Sequence, residues 1–178
     1  MANPFFTIGH STRPIAEFAG LVQPAGVELV VDVRTVPRSR TNPQYNSDVL
    51  AGALAPFGAG YKHIAALGGL RGKTAGVTPD VNAFWTNQSF HNYADYATTE
   101  AFRSGLAQLR MLGRERRCVI MCAETLWWRC HRRIIADYLI AAGEQVFHIL
   151  KANDVRPAVL NSAARPGPRG TLVYPAAA

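Results

Sequence analysis

A chain of 178 residues with 48% hydrophobic and 17% charged residues has the length and composition of one globular domain, which excludes a disordered chain and leaves little room for a second core. No apolar run approaches the ~20 residues of a membrane-spanning helix, and the start Met1-Ala2-Asn3-Pro4 lacks the stretches of a secretory signal, so a cytoplasmic protein without membrane partners is expected. The net charge of +7, from 19 Lys and Arg against 12 Asp and Glu, favours anionic partners, and its arginine-rich make-up favours a shaped anion pocket over a non-specific polyanion surface.

Phe5-Phe6-Thr7-Ile8-Gly9 is a β-rich run ending in glycine. Ser11 and Thr12 are placed to cap the next helix and Pro14 to open it; Ile15, Phe18, Ala19 and Val22 then recur at helical spacing until Pro24 and Gly26. Residues 27–33 form a nearly continuous apolar run, the mark of a strand buried on both faces. Residues 34–46 carry Pro37, Pro43 and three arginines without an apolar period, and read as an exposed loop long enough to suspect function. Ser47 caps a helix to about Phe57, residues 61–64 form a third strand, and residues 67–79 a second long loop. Helical patterns cover 84–97 and 100–112, the latter closed by Gly113. A fourth strand at 118–122, a helix at 130–142 ended by Gly143 and a fifth strand at 145–150 follow.

Strands alternating with helices predict an α/β fold: a Rossmann-like three-layer sandwich around a mainly parallel five-stranded sheet, one domain over residues 1–151. Residues 152–178, with Pro157, Pro166, Pro168 and Pro175, read as an irregular tail, draped or disordered. No feature of the sequence specifies an oligomeric state.

In such sheets ligands bind beyond the carboxyl ends of the strands, where loops and helix N-termini converge. The polar, titratable segments fall there. The segment from Cys122 to Arg132 joins a buried strand to a helix through a loop holding Cys, Glu, His and Arg. Cys122 is the candidate nucleophile, since a helix N-terminus and nearby guanidinium groups lower a thiol pKa; the alternative is a small hydrophobe ending a core strand. It is therefore expected to be alkylated faster than Cys118. Cys130 reads as packing. Glu124 and His10 are the candidate acid–base groups, with a helix cap and a backbone-bonded loop histidine as their plain alternatives. Candidate anion contacts are Ser11, Arg34, Arg38, Arg40, Arg71, His131 and Arg132. Asp32 either orients Arg34 or forms a purely structural pair with it. Trp127 and Trp128 either stack a base or sugar, or cover core.

Gly68-Gly69-Leu70-Arg71-Gly72-Lys73-Thr74 lacks the spacing and following helix of a phosphate-binding P-loop. The cysteines and histidines show no metal-ligand spacing, so neither metal nor cofactor is expected, and the three cysteines, too few for a disulfide scaffold, are expected reduced.

Thr7-Ile8-Gly9-His10-Ser11-Thr12, Asp32-Val33-Arg34 with Pro37-Arg38-Ser39-Arg40, Leu67-Gly68-Gly69, Phe90 with Tyr93-Ala94, and Cys122-Ala123-Glu124 with Cys130-His131-Arg132 together resemble the family catalogued as domain of unknown function 488, over residues 5–150. The resemblance implies a Rossmann-like fold and a site built from these motif positions, and brings no settled activity. The Asp-Val-Arg strand end and the Cys loop are also similar to rhodanese and Cys-phosphatase loops, which space Cys and Arg more tightly and are richer in Gly or Ser.

Two functional readings follow. One is a pocket lined by His10, Arg34, Cys122, Glu124 and Arg132 that binds a phosphorylated or nucleotide-like small molecule, with or without chemistry upon it. The other is a nucleic-acid-binding module using basic loops and tryptophans without catalysis. An enclosed concavity supports the first and an open basic groove with exposed aromatics the second.

Overall fold

The computed structural model describes residues 1–178. Five strands run parallel: β1 (Phe5–Gly9), β2 (Leu29–Asp32), β3 (Gly60–His63), β4 (Cys118–Cys122) and β5 (Val146–Lys151). A sixth, β6 (Asp154–Pro157), pairs antiparallel with β5, and the sheet order is β3-β2-β4-β1-β5-β6. The helices are α1 (Ile15–Val22), α2 (Ser47–Leu54), α3 (Gln88–Tyr96), α4 (Glu100–Glu115) and α5 (Arg132–Ala141).

Side chains alternate across a strand, so β4 feeds both faces of the sheet. Val119 and Met121 pack with Phe18, Leu50 and Leu54 of α1 and α2. Cys118, Ile120 and Cys122 pack with Tyr93, Phe102, Leu109 and Ile134 of α3, α4 and α5. All five β4 residues are buried, as a central strand covered by helices on both sides requires. Register then sets the site: Gly9 lies opposite Cys122, and Asp32 opposite Met121. The chain leaves β1, β2 and β4 at one level of the sheet's C-terminal edge.

The sheet has six strands where five were expected. Asn153, at φ 60°, turns the chain straight back from β5, and the short, largely exposed β6 carries no apolar period that would mark it in the sequence. The rest of the segment read as a tail adds the ribbon β7 (Arg165–Pro166) with β8 (Leu172–Val173) and buries Leu172 and Tyr174 in the core shared by α3, α4 and α5. Asp137 of α5 holds it there: Oδ1 accepts from the Asn161 N–H at 2.9 Å and Oδ2 from the Tyr174 hydroxyl at 2.8 Å.

Three local expectations change. Neither Ser11 nor Thr12 caps α1, which begins after Pro14 without a side-chain cap, and Ser47 is the first residue of α2 rather than its cap. The helix expected from residue 84 starts at Gln88, where Asn87 caps it by accepting from the Ser89 and Phe90 N–H groups. Gly113 lies inside α4 instead of closing it, because the Phe5 ring packs where a Cβ would stand.

Candidate functional site

The chain exits of β1, β2 and β4 border an open cavity of about 500 Å³. His10, Arg34, Arg38, Cys122, Glu124 and His131 line it, and so do Arg129, Cys130, Asn87 and Phe90. Close backbone approach makes this possible. A Cβ on Gly9 would overlap the Glu124 carbonyl, and one on Gly69 would overlap the His131 ring. The β4–α5 loop makes a 3-10 turn at Trp127–Arg129 that returns Cys130 to the end of β4. Cys130 Sγ thereby lies 2.8 Å from Cys122 Sγ, and both thiols are buried at the cavity wall.

The electropositive groups converge on Cys130. The Arg132 Nε–H points at its sulfur at 3.3 Å and the Arg132 backbone N–H, in the first turn of α5, at 3.5 Å. His131 Nε2 is 2.8 Å from the Val33 carbonyl, which can only accept, so Nε2 carries a proton and Nδ1 faces Cys130 Sγ at 3.5 Å. Burial alone would push the Cys130 thiol up, but the Cys122 thiol, His131 and Arg132 outweigh it and hold the group well below the ordinary range. For Cys122 the outcome is the reverse: burial, the hydrogen bond to Cys130 and the charge of the neighbouring sulfur push it well up, so its proton stays, within reach of both Cys130 Sγ and the Glu124 carbonyl at 3.8 Å. The surroundings of the two thiols thus favour Cys130 over Cys122 as the activated one. Strand end and helix start are equally plausible addresses for a thiolate, and only the return of the loop decides between them.

Arg132 is 1% exposed and pairs with no carboxylate. Its guanidinium donates to Thr7 Oγ1 at 3.2 Å and to the Glu124 and Thr125 carbonyls, with Nε on Cys130. An isolated buried charge is costly, and the negative group in reach is the Cys130 thiolate. Arg132 thus lies beneath the cavity against Cys130 Sγ and is absent from the cavity lining.

Asp32 both pairs with Arg34 and aims it. Its two oxygens accept from Arg34 Nε at 2.9 Å and Nη2 at 2.7 Å, Oδ1 from the Arg34 N–H at 3.0 Å, and Oδ2 from the Tyr61 hydroxyl at 2.6 Å. Arg34 Nη2 also donates to the Tyr45 carbonyl, which leaves Nη1 directed at His10 Nε2, 3.4 Å away. His10 donates from Nδ1 to the Ser11 carbonyl at 2.7 Å and stacks on Tyr45 at 4.0 Å. Burial lowers its pKa to about 4, so at neutral pH it is an uncharged acceptor that orients Arg34 and a weak base. Glu124 is exposed on the cavity wall, its Oε1 accepting from the Leu126 N–H at 3.0 Å.

Other expected contacts lie elsewhere. Ser11, at φ 51°, contributes backbone alone, accepting from His10 and donating to the Ala123 carbonyl. Arg40 is exposed and outside the cavity lining. Arg71 donates to the Gly68 and Ala65 carbonyls and lies over the Tyr96 ring, 3.9 Å from its centroid. Phe90 was a motif position of the family resemblance, whereas Arg129 and Asn87 were not among the expected anion contacts; the cap position of Asn87 is a sequence signal that could have drawn attention to it. No group of three or more His, Cys, Asp or Glu side chains is arranged to hold a metal ion.

A profile described as "Domain of unknown function DUF488" matches residues 14–139, well over half of the chain. The chain belongs to the DUF488 family. Comparison with curated proteins and with solved structures returned no match. The DUF488 match spans the β2 exit, the β4–α5 loop and most of α5, and so includes Arg34, both cavity thiols and Arg132.

Proposed function

We propose that the cavity binds a small anionic molecule, phosphorylated or nucleotide-like, and that Cys130 attacks it as a thiolate. The observation that carries this reading is the buried Arg132 guanidinium, without a carboxylate partner, with Nε on Cys130 Sγ. His131 Nδ1 takes the thiol proton. The ligand's anionic group lies against Arg38 and Arg129, which form no ion pair within the chain, and against Arg34 Nη1. The bond from Cys130 Sγ to the electrophilic atom forms as the bond to the leaving group breaks, and the leaving group takes the proton from His131. Water then releases the product, Glu124 accepts its proton, and the thiolate returns.

The tryptophans lend little to a strand-stacking surface. Trp127 stacks on His148 at 4.4 Å and 4° and lies near the Arg133 guanidinium, which leaves Trp128 as the exposed ring. A working thiolate needs a reducing compartment, in keeping with the cytoplasmic location expected from the sequence.

Alkylation tests the reading. Anionic iodoacetate, judged against neutral iodoacetamide and a free thiol standard, reacts preferentially at Cys130, by on the order of tenfold if the cavity concentrates anions. Inorganic phosphate or adenosine monophosphate suppresses the reaction, and Arg38→Ala with Arg129→Ala removes both the preference and the protection. Equal rates for the two reagents, unaffected by either phosphate compound, contradict it.

A further inference from the structure

We infer that Cys122 and Cys130 form a reversible dithiol–disulfide couple that reduces a small hydroperoxide entering the cavity. The inference shares the Cys130 thiolate with the proposed function but requires no bound anion.

The geometry is that of a nucleophile with a resolving thiol beside it. The two sulfurs are 2.8 Å apart, and a disulfide of about 2.05 Å needs their further approach by under an ångström. The segment between them holds Trp127–Arg129, a single 3-10 turn, and no strand or helix that closure of the bond would break. Burial and the neighbouring thiol keep the proton on Cys122 while His131 and Arg132 draw it from Cys130, so one sulfur serves as the thiolate and the other carries the proton the second step consumes. Cys118, also on β4, is not part of the cavity lining and donates to the Arg116 carbonyl at 3.4 Å; it has no part in the couple. Cys122 and Cys130 are only 4% and 5% exposed, and both line the cavity, so the oxidant must be small enough to enter it rather than a protein disulfide.

In the first step the Cys130 thiolate attacks one oxygen of the hydroperoxide. The S–O bond forms as the O–O bond breaks, and the departing alkoxide or hydroxide takes the proton that His131 received from Cys130. In the second, Cys122 Sγ attacks the sulfenic sulfur; the S–S bond forms, the S–O bond breaks, and hydroxide leaves with the Cys122 proton as water. The two thiols lose two electrons and the hydroperoxide gains them, giving an alcohol, or water from hydrogen peroxide, and one further water. An external dithiol reductant restores both thiols.

Arg132 makes the couple reversible. The reduced form keeps a thiolate beside a buried guanidinium, and the disulfide deprives that guanidinium of its counterion. Stabilising the reduced form in this way makes a disulfide oxidising and easily reduced, in contrast to a structural one.

The test treats the reduced protein with hydrogen peroxide, blocks remaining thiols with iodoacetamide and maps the peptides by mass spectrometry. The expected product is a Cys122–Cys130 cross-link, with Cys118 still alkylated and both cavity thiols recovered after dithiothreitol. Cys122→Ser stops at the first step, so dimedone labels Cys130 there and not in the wild type. Sulfinic or sulfonic acid at Cys130 beside a free Cys122, or no oxidation at either, overturns the couple. If iodoacetate preference at Cys130 persists in that event, the anion site stands without the couple; a cross-link without the preference leaves the couple standing alone.

Discussion

At the scale of single residues, the site depends on the pairing of Arg132 with Cys130. Arg132→Met retains bulk and removes the charge. Alkylation of Cys130 at neutral pH then falls by at least about tenfold, since each 1.4 kcal/mol of lost thiolate stabilisation is one order of magnitude. The variant also removes the guanidinium donor from the Glu124 and Thr125 carbonyls, so circular dichroism must accompany the kinetics. Unchanged alkylation in a folded variant would show that the guanidinium does not hold the thiolate. The polar residues of this site were legible as a group because strand ends were readable. Their roles were not: the sequence cannot tell which side of the α5 start Arg132 takes, and eight positions separate two thiols whose sulfurs meet. Arg34 was legible at the strand exit, but its aim depends on Tyr61 and Tyr45, which lie far from it in the chain.

At the scale of elements, two glycines in helices separate packing from propensity. Gly113 in α4 leaves room for the Phe5 ring, so Gly113→Ala overpacks and costs about 1–3 kcal/mol. Gly20 in α1 is exposed with nothing within 4 Å of a built Cβ, so Gly20→Ala stabilises by about 0.5–1 kcal/mol through helix propensity. Thermal denaturation should show shifts of opposite sign, at roughly 2–4 °C per kcal/mol for a chain of this size. The same sign for both would mean that the Phe5 contact is not tight. The contrast also explains what the sequence concealed. A glycine near the end of an apolar helical pattern reads as a terminator, because the ring it accommodates belongs to β1, more than a hundred residues earlier. Strands β1, β2 and β4 were legible because central parallel strands need apolar residues on both faces; β6, at the edge and exposed, carries no such pattern.

At the scale of the whole molecule, residues 158–178 complete the core. Removing them exposes the α3–α5 face covered by Leu172 and Tyr174, and leaves Asp137 without the Asn161 N–H and the Tyr174 hydroxyl. Loss of one large core side chain alone costs about 3–5 kcal/mol, so the truncated chain should melt far below the full one; equal melting temperatures would mean that the segment adds no stability. Stability should also fall on acidification. Burial lowers both His10 and His148 from 6.5 to about 4, so between these values the unfolded chain binds more protons than the folded one. The melting temperature therefore holds above pH 6.5 and drops as pH falls towards 4. His148→Asn, which can keep the Thr7 hydrogen bond without titrating, flattens that slope; an unchanged slope would remove His148 from the account.

The central claim, that the fold assembles a thiolate at Cys130 and keeps the proton on Cys122, is tested most directly by the pH dependence of alkylation at each cysteine. Brief iodoacetamide labelling of the reduced protein across a pH series, followed by peptide mapping, should give a Cys130 rate that rises at a pH well below the ordinary thiol range. Cys122 should lag behind it, and Cys118, whose pKa burial raises to about 11, should stay nearly inert. Labelling of Cys122 ahead of Cys130, or a Cys130 rate that rises only in the alkaline range of an ordinary thiol, would contradict the account.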